Sequence, residues 1–524
     1  INRAVRWARQ CGLAYNPQKT ECLFRHPGRQ TRDDFNYPDL TIDNTPLPFT
    51  DTVKYLGLTL DKSLLWNAHI KDKCAKAKRL FHLVKRAVGK EWGLTPDRIM
   101  WIHKAIIRPQ ISYGSVVWAH KINQGHAKCL DSVQRQPLMS LAHSMRSTPT
   151  AGLEAILGIP PLALHCQELA LRTAYRLHVS QGWQDREDRR DFRAHRDFHL
   201  HDLKAILPPG SRQPPPVFRV NRLERQPGPQ PSPLMVYTDG SKDGNGTGYG
   251  WCITLNDEVL HEQSTSLDPY SDVFMAELMA IVEALTELEA KWLRQGEETG
   301  ATIWTDSMSS IDAIFAPVIS QPLALEAHNL ILKLQRQGHP ISLRWIPGHK
   351  DHTGNELADY LAKAGRSLPL QTPAPSLFTP PGLVKSRIRE KFRKAWTLEW
   401  QLHTRYRHSR LMLPKPNLTE LIPQGAPPLP ISKGQLQLLI EIVTGHDLLG
   451  KHLVHWHEDQ TPICRLCKKA EETYHHLIFD CESLCQTRHF NPCDPGVDPL
   501  VYFKQLLHFT SFNQISSLRQ SNIT

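Results

Sequence analysis

The sequence predicts a multidomain α/β protein whose central third is a mixed β-sheet flanked by helices. Three features carry that expectation. Between residues 233 and 366, three strand-like runs follow one another and then give way to alternating helices and strands. Proline-rich stretches at 207–233 and about 367–382 bracket this region and read as extended linkers. Outside the brackets, helical periodicity dominates before the sheet region and a small Cys/His-rich region follows it. A chain of 524 residues also exceeds one compact domain, at roughly 150 residues per domain.

Residues 1–120 are dense in aromatic and aliphatic side chains. Short strand-like runs at Glu21–Phe24 and Val53–Leu60 precede helical patterns at Ala68–Lys90 and Pro96–Ile107. Thr95 and Pro96 suit a helix cap and first-turn pair. Helical periodicity resumes from about 125 to 179, and the mixed-charge run 184–202 reads as a solvated helix or disorder. In the central region LMVYTD, GYGWCITL and EVLHEQST are strands. Val273–Arg294 is a long helix with an apolar face of Phe274, Leu278, Ile281, Leu285, Leu288 and Trp292. ATIWTD and ISLRWIPGH are further strands, and Ser309–Phe315 and Asn355–Ala364 are helices. These patterns divide the chain into 1–120, a helical connection at 121–205, a proline-rich linker at 206–232 and the sheet domain at 233–366. A linker with a basic helix at 367–430, a Cys/His module at 431–490 and a tail at 491–524 complete it.

Apolar residues at 40% and charged residues at 22% are ordinary for globular protein. The formal charge of +11 fits a polyanionic partner or a solvated basic surface equally. No run reaches the ~18 apolar residues of a membrane span, and no secretory segment opens the chain, so a soluble intracellular protein is expected. Eleven cysteines, scattered except near the C-terminus, fit reduced thiols and one metal site better than a disulfide framework. Ile1 falls within a helical pattern, and the chain reads as a fragment of something longer.

Four acids sit at element ends in the central region. Asp239 and Asp306 close strands, Glu277 lies on the long helix, and Asp359 lies near the start of the last helix. Singly, each suits a turn, a cap or a helix surface. Together, carboxylates from neighbouring strand ends and packing helices converge at one sheet edge. Mg²⁺ takes a few such oxygens and fills its shell with water and phosphate. Two ions about 4 Å apart activate a water and stabilise a leaving oxygen in an in-line displacement.

The segments YTDGS, MAEL, TDS and WIPGHKDHTGNELAD, in that order, resemble type 1 ribonuclease H over the whole of 233–366. The resemblance implies a ribonuclease-H-like sheet and endonucleolytic hydrolysis of the RNA strand of RNA–DNA hybrids with two Mg²⁺ ions, Mn²⁺ being an alternative. It assigns the metal-binding catalytic acids to Asp239, Glu277, Asp306 and Asp359. The catalytic-loop histidine maps to His349, with His352 as the second choice. Gly240, Ser241, Asn245 and Ser307 are candidate substrate contacts, simple turn chemistry being the other reading, and 2′-hydroxyl contacts would recognise RNA. Transposases and integrases share acids on such a sheet but lack the GHKDHTGNELAD element.

The N-terminal region resembles the end of a reverse transcriptase from non-long-terminal-repeat retrotransposons. The resemblance rests on GLAYNPQKTECLF (12–24), KYLGLTLD (54–61), LLWNAHI (64–70) and RPQISYGSVVW (108–118). It implies a partial palm and thumb, with Lys19 in a motif that handles the incoming triphosphate. An unrelated α+β domain with core aromatics is the other reading. The Tyr/Phe-Ala-Asp-Asp polymerase motif would lie upstream of Ile1, in the upstream polymerase part of the same polyprotein, so this chain alone is not expected to polymerise DNA.

Near the C-terminus Cys464, Cys467, His476 and Cys481 give C-x2-C-x8-H-x4-C, a spacing suited to tetrahedral Zn²⁺. The segment also resembles the zinc-binding segment that follows ribonuclease H in the same retroelements. His475 and Cys485 are alternative ligands. On 384–400, basic residues beside Trp396 and Trp400 suit either phosphate contact with base stacking or a solvated amphipathic helix. The expected whole is a LINE-like polyprotein fragment acting in a nuclear or cytoplasmic ribonucleoprotein. A decayed copy that only binds nucleic acid is the alternative.

Overall fold

The computed structural model describes residues 1–24, 40–89, 92–180, 199–207, 218–219, 234–244, 246–268, 270–295, 300–348, 352–370, 379–402, 409–410, 413–416, 433–447, 449–454, 460–474 and 476–483. Asn245, His349, His475, Cys485, the charged run 184–198, most of the proline-rich linkers and the tail lie outside the described residues. The chain divides into two compact units, residues 171–390 and residues 1–170 with those from 391 onward.

In the first of these, five strands form one sheet: β1 (Leu234–Lys242), β2 (Thr247–Leu255), β3 (Glu258–Leu267), β4 (Ala301–Thr305) and β5 (Ile341–Trp345). Their order is β5-β4-β1-β2-β3. The hairpin-linked strands β1, β2 and β3 pair antiparallel, while β4 joins β1 in parallel and β5 joins β4 in parallel. Parallel neighbours need crossover connections, and helices supply them. These are α1 (Val273–Gln295), α2 (Met308–Ile314) and α3 (Pro322–Arg336); α4 (Thr353–Gly365) closes the domain. The sheet is therefore mixed and helix-flanked, as expected.

Side chains alternate across a strand, and β2 uses that alternation fully. Tyr249, Trp251 and Ile253 enter the apolar core shared with Leu278, Ile281, Leu285 and Leu288 of α1. The intervening positions are Gly248, Gly250 and Cys252. A Cβ at Gly250 would lie 2.4 Å from Leu361 Cβ and 2.5 Å from Ala362 N, and one at Gly248 would lie 2.4 Å from Arg366 N. Only glycine lets α4 approach this face so closely. The side chain of Trp292 lies outside the described residues.

Two elements depart from expectation. Helix α3 was not anticipated, although Pro322 stands in its first turn and Leu323, Ala327, Ile331 and Leu334 are buried at helical spacing. Within the stretch read as a linker, Phe218–Arg219 pairs antiparallel with Val318–Ile319.

The second unit is mostly helical. Thr52–Tyr55 and Leu58–Asp61 form a hairpin turned at Leu56 and Gly57, both at positive φ. Helices Asn67–Lys85, Gln124–Ala142 and Thr150–Leu157 pack around Ile70, Phe81, Trp118, Leu130 and Leu153. The same core continues through Leu439, Ile440 and Val443 of helix Lys433–Thr444 to Cys464, Tyr474 and Cys481. Helix Pro381–Leu402 buries Val384, Ile388, Trp396 and Trp400, and the Trp400 indole donates to the Leu413 carbonyl at 2.9 Å. Trp396 and Trp400 are thus core residues, which removes the base-stacking reading. The start of that helix belongs to the unit of residues 171–390, within which Arg387 donates to the Ile206 carbonyl at 2.8 Å and stands 4.6 Å from the Tyr270 ring centroid.

Gly250→Ala is expected to destabilise the sheet domain by roughly 2–3 kcal/mol, because neither Leu361 nor the α4 backbone can retreat without opening the core. Urea unfolding of the full chain, followed for the sheet domain, checks this; an unchanged midpoint would contradict the packing argument.

Candidate active site

The parallel register sets the site. Thr238 of β1 lies opposite Thr305 of β4, so Asp239 and Asp306 stand side by side. Asp306 follows the end of β4, whereas Asp239, expected to close its strand, lies inside β1, whose hairpin pairing with β2 carries it on to Lys242. Glu277 comes from the second turn of α1, whose first turn is fixed by Asp272 Oδ1 accepting from the Met275 N–H at 2.9 Å. The helix lies hard against β1: a Cβ at Gly240 would stand 2.4 Å from the Glu277 nitrogen. Asp239, Glu277 and Asp306 each present an oxygen within 4.8 Å of the others.

Burial and mutual repulsion govern their protonation. Burial first, then the charges of Asp306 and Asp359, push the Asp239 carboxyl up to about 7. Glu277 is pushed up to about 9 by burial, then by Asp239 and Asp306. Glu277 Oε2 is buried without a hydrogen-bond partner among the described residues. Buried acceptors of this kind call for a proton, a water or a cation. Asp359 lies beside Asp239, as its effect on that carboxyl shows, yet its Oδ2 accepts from Lys363 Nζ at 2.6 Å. The structure therefore brings three of the expected acids together, with the fourth adjacent and ion-paired.

The other expected residues are placed less centrally. Gly240 and Ser241 continue β1 beyond Asp239. The Ser307 hydroxyl shares hydrogen bonds with Ser309 at 3.2 Å and Ser310 at 2.9 Å, at the start of α2. His352 precedes α4 at its N-cap, while His349 and Asn245 lie outside the described residues. Two contributors were not anticipated. A Cβ at Gly348 would lie 2.7 Å from Asp306 Oδ2, so the loop passes the acid only as glycine. The Trp345 indole donates to the Asp306 carbonyl at 3.0 Å.

A second cluster lies in the helical unit. One ligand atom each from Cys464, Cys467, His476 and Cys481 falls within 4.8 Å of the rest. Cys464 Sγ is 3.9 Å from Cys481 Sγ, and Cys467 Sγ is 3.2 Å from His476 Nε2. The backbone N–H groups of Lys469 and Ala470 bring the Cys467 thiol down to about 6, favouring thiolate. Tyr474 donates to the buried Glu441 at 3.1 Å, tying this turn to helix Lys433–Thr444.

Residues 231–367 match the family model described as RNase H. A Pol polyprotein of the type-1 retrotransposable element R1 4 from Nasonia vitripennis is 27% identical over 136 residues, covering 26% of this chain and 33% of that protein. A ribonuclease H of a Polaromonas species is 28% identical over 145 residues, covering 25% of this chain and 87% of its own length. LC11-RNase H1, solved in complex with an RNA/DNA hybrid, aligns at 23% identity over 25% of this chain and 98% of its own, with a TM-score of 0.22. The chain spans 13, 33 and 48% of the lengths of three retroelement relatives. The polypeptide thus carries a ribonuclease H domain at residues 231–367 and is homologous through it to the Pol polyproteins of R1 retrotransposable elements.

Proposed function

We propose that the chain hydrolyses the RNA strand of RNA–DNA hybrids during the copying of a retroelement. The observation that carries this reading is the triad of buried Asp239 and Glu277 with half-buried Asp306, in which a Glu277 oxygen has no hydrogen-bond partner among the described residues. Three carboxylates so close cannot all stay ionised without a compensating positive charge, which fits the donor set to hard divalent cations. Asp239, Glu277 and Asp306 would hold Mg²⁺ or Mn²⁺, and Asp359 would join them for a second ion. Bound there, the ions supply Lewis-acid charge for activating water and for neutralising the phosphate and the leaving 3′-oxygen.

The protein's own part is to position and exclude. Strand pairing fixes Asp239 and Asp306, and Gly240 lets Glu277 reach them. Ala276 and Leu278, which flank Glu277, belong to the buried apolar core and keep bulk water from that side. His349 is assigned by resemblance to proton transfer or product departure, and Gly240, Ser241, Asn245 and Ser307 to contacts with the nucleic acid.

Within the same reading, residues 1–120 are the end of a reverse-transcriptase palm and thumb. The C-terminal cluster holds structural Zn²⁺, its three sulfurs and one imidazole being a usual tetrahedral donor set. Among the described residues, no helix is long and apolar enough to cross a membrane.

Asp306→Asn is expected to lower hybrid cleavage by on the order of 10²–10³-fold in Mg²⁺ while leaving the fold intact. Hybrid bound but uncut by the unaltered chain would favour a remnant that only binds nucleic acid.

The raised carboxyls give a pH test. Folded, metal-free Asp239 and Glu277 keep protons at pH values where the unfolded chain, titrating near 4, has lost them. The native state then binds more protons, so their contribution to stability falls as pH rises from about 4 through about 7 and about 9. In chelator the nuclease domain should melt progressively lower across that range. Added Mg²⁺ should raise its melting temperature more at about pH 8 than at about pH 6. A metal-induced rise independent of pH would count against cation binding by these acids.

Purified full chain should also carry about one zinc per molecule, lost in Cys467→Ser, as elemental analysis would read. Absence of zinc in the unaltered chain would end that assignment.

A further inference from the structure

The proposed reaction needs the hybrid seated so that one phosphate meets the triad, and an exposed aromatic stands beside Asp306. Trp345 is the last residue of β5, and β4 pairs it with Thr305, the residue immediately before Asp306. Trp345 stays 47% exposed, whereas the neighbouring Ile346 is buried. The indole is not left to swing: its N–H donates to the Asp306 carbonyl at 3.0 Å, which fixes the ring edge against the acid-bearing backbone. A tryptophan with its polar group satisfied and its apolar surface still in water is a pre-oriented contact surface. The residue that holds the indole N–H is itself a member of the triad.

We propose that Trp345 is a substrate-positioning residue whose exposed ring packs on the sugar of the nucleotide next to the scissile phosphate. The ligand class follows from what a duplex exposes. Bases in a hybrid are stacked and paired, whereas the wide, shallow minor groove presents riboses and their 2′-hydroxyls. A flat apolar ring beside the acids can pack on a sugar without unpairing any base. The contact sets where along the strand the phosphate stops, and it does so through ground-state binding. This inference rests on the hybrid-nuclease reading.

Two substitutions separate a platform from a prop. Trp345→Ala should raise KM for hybrid about five- to tenfold, the weaker end of aromatic–nucleotide contacts, with kcat within about threefold. Its equilibrium affinity for hybrid in chelator, read by fluorescence anisotropy, should fall by the same factor. Trp345→Phe keeps a ring and loses the N–H, and should stay within about twofold of the unaltered chain in both measurements. If Trp345→Phe instead behaves like Trp345→Ala, with lowered kcat and weaker Mg²⁺ binding by calorimetry, the residue only props Asp306 and the proposal falls. If the unaltered chain cleaves hybrid and Trp345→Ala binds it equally well, the contact falls and the nuclease reading stands. If the unaltered chain does not cleave but Trp345→Ala binds hybrid several-fold more weakly, the contact stands and the nuclease reading falls.

Discussion

Repulsion among carboxylates confined at one end of the sheet is the constraint around which the nuclease domain is organised. Asp239 and Asp306 are forced together by parallel pairing, and Glu277 is pressed against them because Gly240 offers no side chain to hold α1 away. Buried like charges are costly unless protonated or paired with a cation. The rest of the domain offsets that cost. A continuous apolar layer joins β1, β2 and β4 to α1 and α3, and the glycines of β2 admit α4 on the other face. Rigid surroundings are what allow the acids to remain close, since a softer frame would relax by moving them apart.

The sequence carried most of this domain because its signals are local. LMVYTD and ATIWTD mark the two acid-bearing strands, though the first runs on past its acid, and alternation on β2 distinguishes a core face from a glycine face within nine residues. The long apolar stripe of α1 is similarly self-evident. Helix α3 escaped because its apolar positions are broken by Ala324 and Ala327, whose small side chains say little about burial until a partner is present. The acids themselves were legible as residues but their grouping was not complete. Spacing cannot tell that Asp359 already accepts from Lys363, nor that the tryptophan ending β5 anchors the Asp306 backbone.

Outside the nuclease domain, local signals were weaker guides. Trp396 and Trp400 lie among basic residues, and such company suits nucleic acid as well as it suits an amphipathic helix. Burial of both indoles decides the matter, since a ring enclosed by protein has no face for a base. The Cys/His spacing did foretell a cluster, because ligands on a tight turn and a following segment are brought together by short-range geometry. Its union with the core of helices Gln124–Ala142 and Thr150–Leu157 had no comparable sign. Apolar helix faces are interchangeable in sequence, and long-range pairing among them is not written in any spacing.

That shared core has a consequence for how the chain is made. Residues up to 170 leave the ribosome some 260 residues before helix Lys433–Thr444, the segment that completes their apolar interior, exists. At a synthesis rate of about 5–20 residues per second, the interval is roughly 13–50 seconds. The nuclease domain is contiguous and can close during that time. The N-terminal helices lack that partner meanwhile, and their unfinished face waits in the open until residues 433–444 are made. A message broken or a ribosome stalled between residues 391 and 432 would release a finished nuclease tethered to an unfinished neighbour, the form in which exposed apolar surface invites chaperones and proteases.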